Sequence, residues 1–533
     1  MTSPSFAWWQ TGVIYQIYPR SFYDANGDGI GDLQGIIDRL DYLVTLGVDA
    51  IWISPIYPSP MADFGYDVAD YCDIHPIFGD LATFDCLLAE AHHRGIRVIL
   101  DFVPNHTSDR HPWFQESRAS RDSARRDWYI WRDAKPDGSA PNNWVSMFGG
   151  PAWTWDEATG QYYLHLFLKE QPDLNWRNPA VQSAMLEVLR FWLDRGVDGF
   201  RMDVVGFIMK DEQMRDNPYL PGADLQSLDR WAQQEHRHDI DQPEAHDMIR
   251  TFRQLIDSYP DRVVIGEIWA EPRSRWADYY GQDLSELNLP FNFALMSQPW
   301  QASAIRASVA ELEASIPPGA WPNYVLGSHD KPRLASRFGP QAVRLAAMLL
   351  LTLRGTPTLY NGEELGMANG DVPPDRMQDP QGLNIGPDKS RDPYRTPFQW
   401  SAAPYAGFSR VEPWLPVADG HEAVNAEAQN QDSRSVLNLY RQLIALRRRT
   451  PALNGGSYTP ILTELEHSFV YLREAEGQRY LVALNFSGEA QTIGASDLGE
   501  TGQVLLTTNL ESPHDVTLAA INLGANEGVI IMI

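Results

Sequence analysis

The chain has little cysteine and no long apolar run. Cys72 and Cys86 are the only cysteines in 533 residues. Two thiols make neither a disulfide framework nor a zinc site. The most apolar helical run, Leu345 to Leu353, is closed off by Arg344 and Arg354, far short of the roughly 20 residues that cross a bilayer. The first residues show no basic stretch followed by an apolar one, so no signal peptide is expected and a cytoplasmic location is the expectation. Positive charge is scarce too: 43 Lys and Arg stand against 70 Asp and Glu, a net charge of −27. Nucleic acid and anionic membrane need a basic footprint. Neither is an expected partner, and the expected substrates are small and neutral or cationic. No motif speaks to oligomeric state.

What is present is length, aromatics and a rhythm. A chain of 533 residues exceeds one compact core and suggests several domains. With 18 Trp, 22 Tyr and 20 Phe, some rings are available to stack on the flat apolar faces of a ligand such as a sugar. Apolar strand-like runs alternate with helical ones: Val13–Tyr18, helix Ile36–Leu46, Ala50–Ile53, helix Leu81–Arg94, Arg97–Val103. The alternation resumes at helix Pro179–Arg195 and runs to helix Val436–Arg448. Such a pattern predicts a parallel sheet covered by helices, and the count of units predicts a (β/α)8 barrel over residues 1–104 and 176–450. Residues 105–175 read as an inserted loop-rich domain, 365–430 as a loop-rich subdomain, and 451–533 as a C-terminal antiparallel β-sandwich.

Three expected strands end in acids: Gly199-Phe200-Arg201-Met202-Asp203, Val264-Ile265-Gly266-Glu267 and Leu326-Gly327-Ser328-His329-Asp330. Barrels of this kind carry their chemistry at the C-terminal strand ends, so these acids should share one pocket. Two carboxylates across a pocket suit glycoside hydrolysis, one attacking and one protonating the leaving oxygen. Arg201 and Asp203 share a strand face, which favours an ionised Asp203. Apolar flanks around Glu267 favour a protonated acid there.

These segments, together with Asp101-Phe102-Val103-Pro104-Asn105-His106, resemble the four conserved regions of the α-amylase family of glycoside hydrolases (family 13). Gly12–Phe22 and Arg395-Thr396-Pro397-Phe398-Gln399-Trp400 resemble its α-glucosidase and oligo-1,6-glucosidase branch. The resemblance implies a retaining mechanism with Asp203 as nucleophile, Glu267 as acid/base and Asp330 as transition-state stabiliser. It implies that His106, Arg201 and His329 hold the sugar. Asp63 and Tyr66 would bind and stack on the non-reducing glucose, with Arg395 closing the pocket by pairing with Asp63. Val204, after the nucleophile, accompanies α-1,6 action in the family, and Gly206 stands where many relatives carry asparagine. The implied activity is an exo-acting α-glucosidase on short oligosaccharides or disaccharides, with glucosyl transfer. The alternatives are a sucrose isomerase or trehalose synthase on the same scaffold and, more remotely, a non-catalytic sugar-binding protein.

Asp24, Asn26, Asp28 and Asp32 are spaced like the first positions of an EF-hand loop. Their side chains and the Ile30 carbonyl suit Ca²⁺ or Mg²⁺. In the resembling branch this loop binds a structural ion.

Overall fold

The computed structural model describes residues 6–269, 273–461 and 465–533. Eight parallel strands form the central sheet. They are β1 Ile14–Ile17, β2 Ala50–Ile53, β3 Arg97–Phe102, β4 Gly199–Met202, β5 Val263–Glu267, β6 Leu289–Phe291, β7 Asn323–Val325 and β8 Thr356–Tyr360. Their order is β7-β8-β1-β2-β3-β4-β5-β6. Ile14 lies beside both Ala50 and Thr358, and Gly199 beside both Ile99 and Val263. β6 and β7 meet at the ends of that order, which makes a near-closed (β/α)8 barrel.

Alternation along each strand decides what faces inward. On β5, Val263 and Ile265 pack inside the barrel with Ile14 and Ile99, while Val264 packs outward under the helices. Glu267 continues the inward set. On β4, Phe200 and Met202 pack outward, so Arg201 and then Asp203 turn toward the axis.

Helices start on short polar caps. Asp80 accepts from Thr83 N–H before helix Leu81–His93, and Asn178 from Ala180 N–H before Pro179–Arg195. Such caps contribute about 1 kcal/mol each. The single helix expected over Ile36–Leu46 is two, Leu33–Asp38 and Leu40–Leu46, broken at Arg39. The Arg39 guanidinium lies 4.0 Å from the Tyr23 ring and 4.3 Å from the Trp400 ring. The third acid-bearing strand stops at Val325, so Asp330 sits on the loop beyond it. β6 is a strand that sequence pattern hides: it has three residues with proline in the middle.

After β3 the chain leaves the barrel for a small three-stranded antiparallel sheet, in the order Trp131–Arg132, Gln161–Leu164, Trp153–Asp156. It has its own core around Trp144, Trp153 and Phe167. Beyond residue 457 lie a six-stranded antiparallel sheet and a two-stranded pair, Gln491–Ile493 with Ile521–Leu523. Their core centres on Val470, Leu481 and Ile531. Among the described residues no helix is long and apolar enough to cross a membrane.

Two arginines seal this terminal sheet to the barrel. Arg447 donates to the main-chain oxygens of Leu351, Leu353, Leu453 and Gly355 at 3.1, 3.2, 3.0 and 2.5 Å. Arg473 donates to those of Thr352, Gly456 and Ser457. Both are buried, and among the described residues neither is salt-bridged to a carboxylate. Burial lowers Arg447 to about 9 and Arg473 to about 10, so both remain charged at neutral pH.

Candidate active site

One guanidinium holds three acids at the C-terminal rim of the barrel. Arg201 Nη1 donates to Asp101 Oδ1 at 2.8 Å and to Asp203 Oδ1 at 2.6 Å, and Nη2 donates to Glu267 Oε2 at 2.5 Å. Arg201 is 2% exposed and lies 5.0 Å from the Trp52 ring. Glu267 also accepts from Trp269 Nε1 at 3.0 Å and from Val204 N at 3.3 Å.

One positive charge does not balance three buried acids. Burial raises the Asp203 carboxyl well above the ordinary range, against Arg201 and with help from Glu267, Asp101 and Asp330. Burial likewise raises Asp101 to about 6. The sequence expectation that Arg201 alone would keep Asp203 ionised is therefore incomplete: desolvation and neighbouring acids outweigh one shared cation. The protons belong to the cluster as a whole.

Asp330 has the opposite setting. Burial opposes its charge, but His329 at 3.1 Å, Arg395 at 2.7 Å and Arg391 at 3.2 Å hold its carboxyl well below the usual range. Burial drives the His329 ring down to about 3, so the ring is neutral and the two arginines carry the effect.

The closing arginine requires a correction. Arg395 does not pair with Asp63; it bonds Asp330 and the His329 carbonyl. Arg391, four residues earlier, reaches Asp63 at 2.7 Å and also Asp379 at 2.7 Å. A 3₁₀ turn over Asp392–Tyr394 separates the two arginines; both reach Asp330, but only Arg391 extends to Asp63 and Asp379. Arg391 is 6% exposed and lies 4.9 Å from the Phe148 ring, so with Asp63 and Asp379 it makes a buried charged wall against Asp330.

Around this wall stand the other expected sugar contacts. Tyr66 is parallel to His329, 5.6 Å between centroids and 3° between planes, and its hydroxyl meets His329 Nε2 at 2.8 Å. His106 lies 5.0 Å from the Phe167 ring and 3.0 Å from Gln171 Nε2. Burial, then the nearby Lys210 charge, lowers His106 to about 3.

Val204 has φ 35° and ψ 45°, a left-handed conformation that a β-branched residue rarely adopts. The strain turns the chain immediately after Asp203 and aims the Val204 amide at Glu267. Gly206 has a steric cause: a Cβ there would lie 2.7 Å from the Tyr279 hydroxyl. That hydroxyl donates to Asp241 Oδ1 at 2.8 Å, and Arg275 holds the other Asp241 oxygen at 2.7 Å. A tyrosine from a distant segment thus fills the space beside position 206.

A small cavity lies against Arg201, Glu267, Trp269, His329 and Asp330. A wider cleft borders it at Trp269 and Phe293 and extends to Phe207, Trp231 and Ile240. Arg215, on its wall, accepts from Trp144 Nε1 through its carbonyl, and the neighbouring Asn143 bonds Asp216 and Asn217.

The Asp24–Asp32 loop is separate from this rim. Asp24 accepts from the amides of Gly27 and Gly29 at 2.6 and 2.8 Å, and Asp28 accepts from Ile30 N at 2.9 Å. Asp32 caps the next helix through Gly35 N at 2.6 Å. Among the described residues no group of three acid, His or Cys side chains is gathered for a metal, and none of these three aspartates has a salt bridge.

Sequence pattern passes over Asp101, Arg391, Asp379 and Gln171 as site residues. Asp101 had a signal, an acid inside the apolar run Val98–Phe102. Arg391, Asp379 and Gln171 lie in loop-rich segments with no periodicity to place them.

Residues 16–456 match the family described as alpha amylase, catalytic domain, and residues 470–521 match the beta-galactosidase C-terminal domain. The chain is 44% identical over 506 residues to a probable alpha-glucosidase of Rhizobium meliloti (strain 1021), covering 92% of each. It is 40% identical over 516 residues to an oligo-1,6-glucosidase of Parageobacillus thermoglucosidasius, covering 90% of each. Among solved structures, the alpha-glucosyl transfer enzyme XgtA superposes with a TM-score of 0.93 at 43% identity, covering 99% of this chain and 100% of that one.

Proposed function

The chain belongs to the α-amylase family and is a glycoside hydrolase, and on that footing we propose a retaining, exo-acting α-glucosidase that releases terminal glucose from short α-glucosides and also transfers it. The observation that carries this reading is the shared guanidinium. Asp203 and Glu267 contact the two terminal nitrogens of Arg201, which keeps them close neighbours. Retaining chemistry needs carboxyls about 5–5.5 Å apart, whereas inverting chemistry needs about 6.5–9.5 Å.

In this mechanism Asp203 attacks the anomeric carbon as Glu267 gives its proton to the leaving oxygen. Glu267 then takes a proton from water or an acceptor hydroxyl, whose oxygen displaces Asp203. Asp203 and Glu267 need one proton between them, and burial with neighbouring acids raises the Asp203 carboxyl. Positive charge developing on the sugar relieves the same crowding, so the cluster favours the transition state over the empty site. Asp330, held ionised by Arg395 and Arg391, grips sugar hydroxyls. The Arg391–Asp63 end wall supports action at a chain end. Val204 supports α-1,6 bonds among the substrates.

Product analysis on maltose, isomaltose, sucrose and trehalose tests this directly. Free glucose from isomaltose and maltose, with longer products at high substrate, is expected. Rearranged disaccharides from sucrose as the main product would replace this reading by isomerisation. No product from any of the four would end it.

We propose also a structural Ca²⁺ or Mg²⁺ held by Asp24, Asn26, Asp28, Asp32 and the Ile30 carbonyl. The EF-hand-like spacing of oxygen donors supports this reading; the three carboxylates now accept from main-chain amides and would turn to the ion on binding. A chelator should lower Tm and added Ca²⁺ or Mg²⁺ should restore it; an unchanged Tm would remove the ion from the account.

A further inference from the structure

Lys210 is an ammonium buried with no exposed surface, on the loop that follows β4. Its Nζ lies 2.8 Å from Asp173 Oδ2 and donates to Asn105 Oδ1 at 2.6 Å. An ammonium only donates, so it identifies that Asn105 atom as oxygen. The Asn105 amide nitrogen then faces Asp173 Oδ1 at 3.1 Å and His106 Nδ1 at 3.0 Å. An amide nitrogen likewise only donates, so His106 Nδ1 must accept. A neutral imidazole has one N–H, and here it is left on Nε2.

We propose that Lys210 is a positioning residue for sugar recognition: through the Asn105 amide it fixes the tautomer of His106, so that Nε2–H is presented to a hydroxyl oxygen of the substrate. The inference rests on the reading above that His106 touches the sugar. The far side of the ring opposes it in the empty site, because the Gln171 amide nitrogen also faces Nε2 at 3.0 Å; the ammonium 2.6 Å from Asn105 Oδ1 polarises that amide and makes it the stronger of the two donors. Gln171 Oε1 is committed to Leu168 N at 3.0 Å, so the atom 3.0 Å from His106 Nε2 is the Gln171 amide nitrogen, itself a donor. That nitrogen also donates to Asp63 Oδ2 at 3.2 Å. Two N–H groups face each other, and an incoming oxygen beside them satisfies both.

An ion pair that merely staples residue 173 to the barrel would predict none of this. In Lys210→Met, Asn105 Oδ1 loses its donor and is buried. The amide can then turn over and accept from His106 Nδ1–H, giving up its bond to Asp173 Oδ1, which keeps Leu166 N as a donor. The same inversion is forced by Asn105→Asp, which offers only acceptors.

The test is nitrogen NMR of the full chain labelled with ¹⁵N-histidine, with His106 assigned by His106→Gln, joined to kinetics on p-nitrophenyl α-glucoside. The parent should show a proton-free Nδ1 at neutral pH. Lys210→Met and Asn105→Asp should move the proton to Nδ1 and raise KM about tenfold or more, with a smaller change in kcat. A proton on Nδ1 in the parent overturns the proposal. So does a folded Lys210→Met or Asn105→Asp protein with the parent's tautomer and KM. Because the tautomer is read without substrate, failure of the glucosidase reading shows separately, as no turnover by the parent.

Discussion

The catalytic rim and the seam beneath the terminal sheet both bury charge, by opposite means. At the rim, one arginine serves Asp101, Asp203 and Glu267, and two of those acids are pushed upward by burial. At the seam, Arg447 and Arg473 are surrounded by main-chain oxygens and, among the described residues, pair with no acid. Several of those oxygens belong to the C-terminal end of helix Val343–Thr352 and the turn after it, where unpaired carbonyls and the helix dipole favour a cation. The seam solvates most of each guanidinium with main-chain oxygens, although Arg447 Nε is left without a partner. The rim is left short of positive charge, and that shortage is available to a substrate that becomes positive during reaction. Structural charge is solvated in advance; reactive charge is kept waiting.

Asp203→Asn is the largest test of that contrast. It should cut glucoside hydrolysis by at least about a thousandfold, as expected for a lost covalent nucleophile. Thermal unfolding should show a Tm no lower than the parent, because removing a crowded buried charge relieves the rim. Arg447→Met comes next. It strips four main-chain oxygens of a charged donor and should cost about 3 kcal/mol in denaturant unfolding with little direct effect on kcat. Equal destabilisation by both variants would break the comparison.

The smallest effect is on pH. Asp203 is raised, so kcat/KM should fall with acidity at a pH above the ordinary aspartate value of about 4. Asp101→Asn removes one acid that raises Asp203 and should shift that limb to lower pH. Stability has its own sign. Asp101, at about 6 when folded, favours folding below its unfolded value and loses that contribution as pH rises through about 6. A pH profile unmoved by Asp101→Asn would separate Asp101 from the cluster.

The barrel and its acids were legible because both follow short rules. Strand alternation put Arg201, Asp203 and Glu267 on one side, and apolar runs placed the strands. The division of labour was less legible, since it depends on burial and on acids from other strands. The exchange of Arg391 for Arg395 shows the limit most clearly. Two arginines four residues apart in a loop have no period to tell them apart, and only the turn between them decides which reaches Asp63. Gly206 shows it again, because its cause is a hydroxyl from residue 279.

The end wall built by Arg391, Asp63 and Asp379 also sets the traffic. A pocket closed there has a single mouth, so a sugar freed at the bottom leaves by the way it came, after the rest of the substrate has backed out. Each cleavage then requires complete dissociation and a fresh encounter. On the exo action proposed above, such an enzyme would be distributive, and long polymers would gain nothing from their length beyond the number of ends they offer.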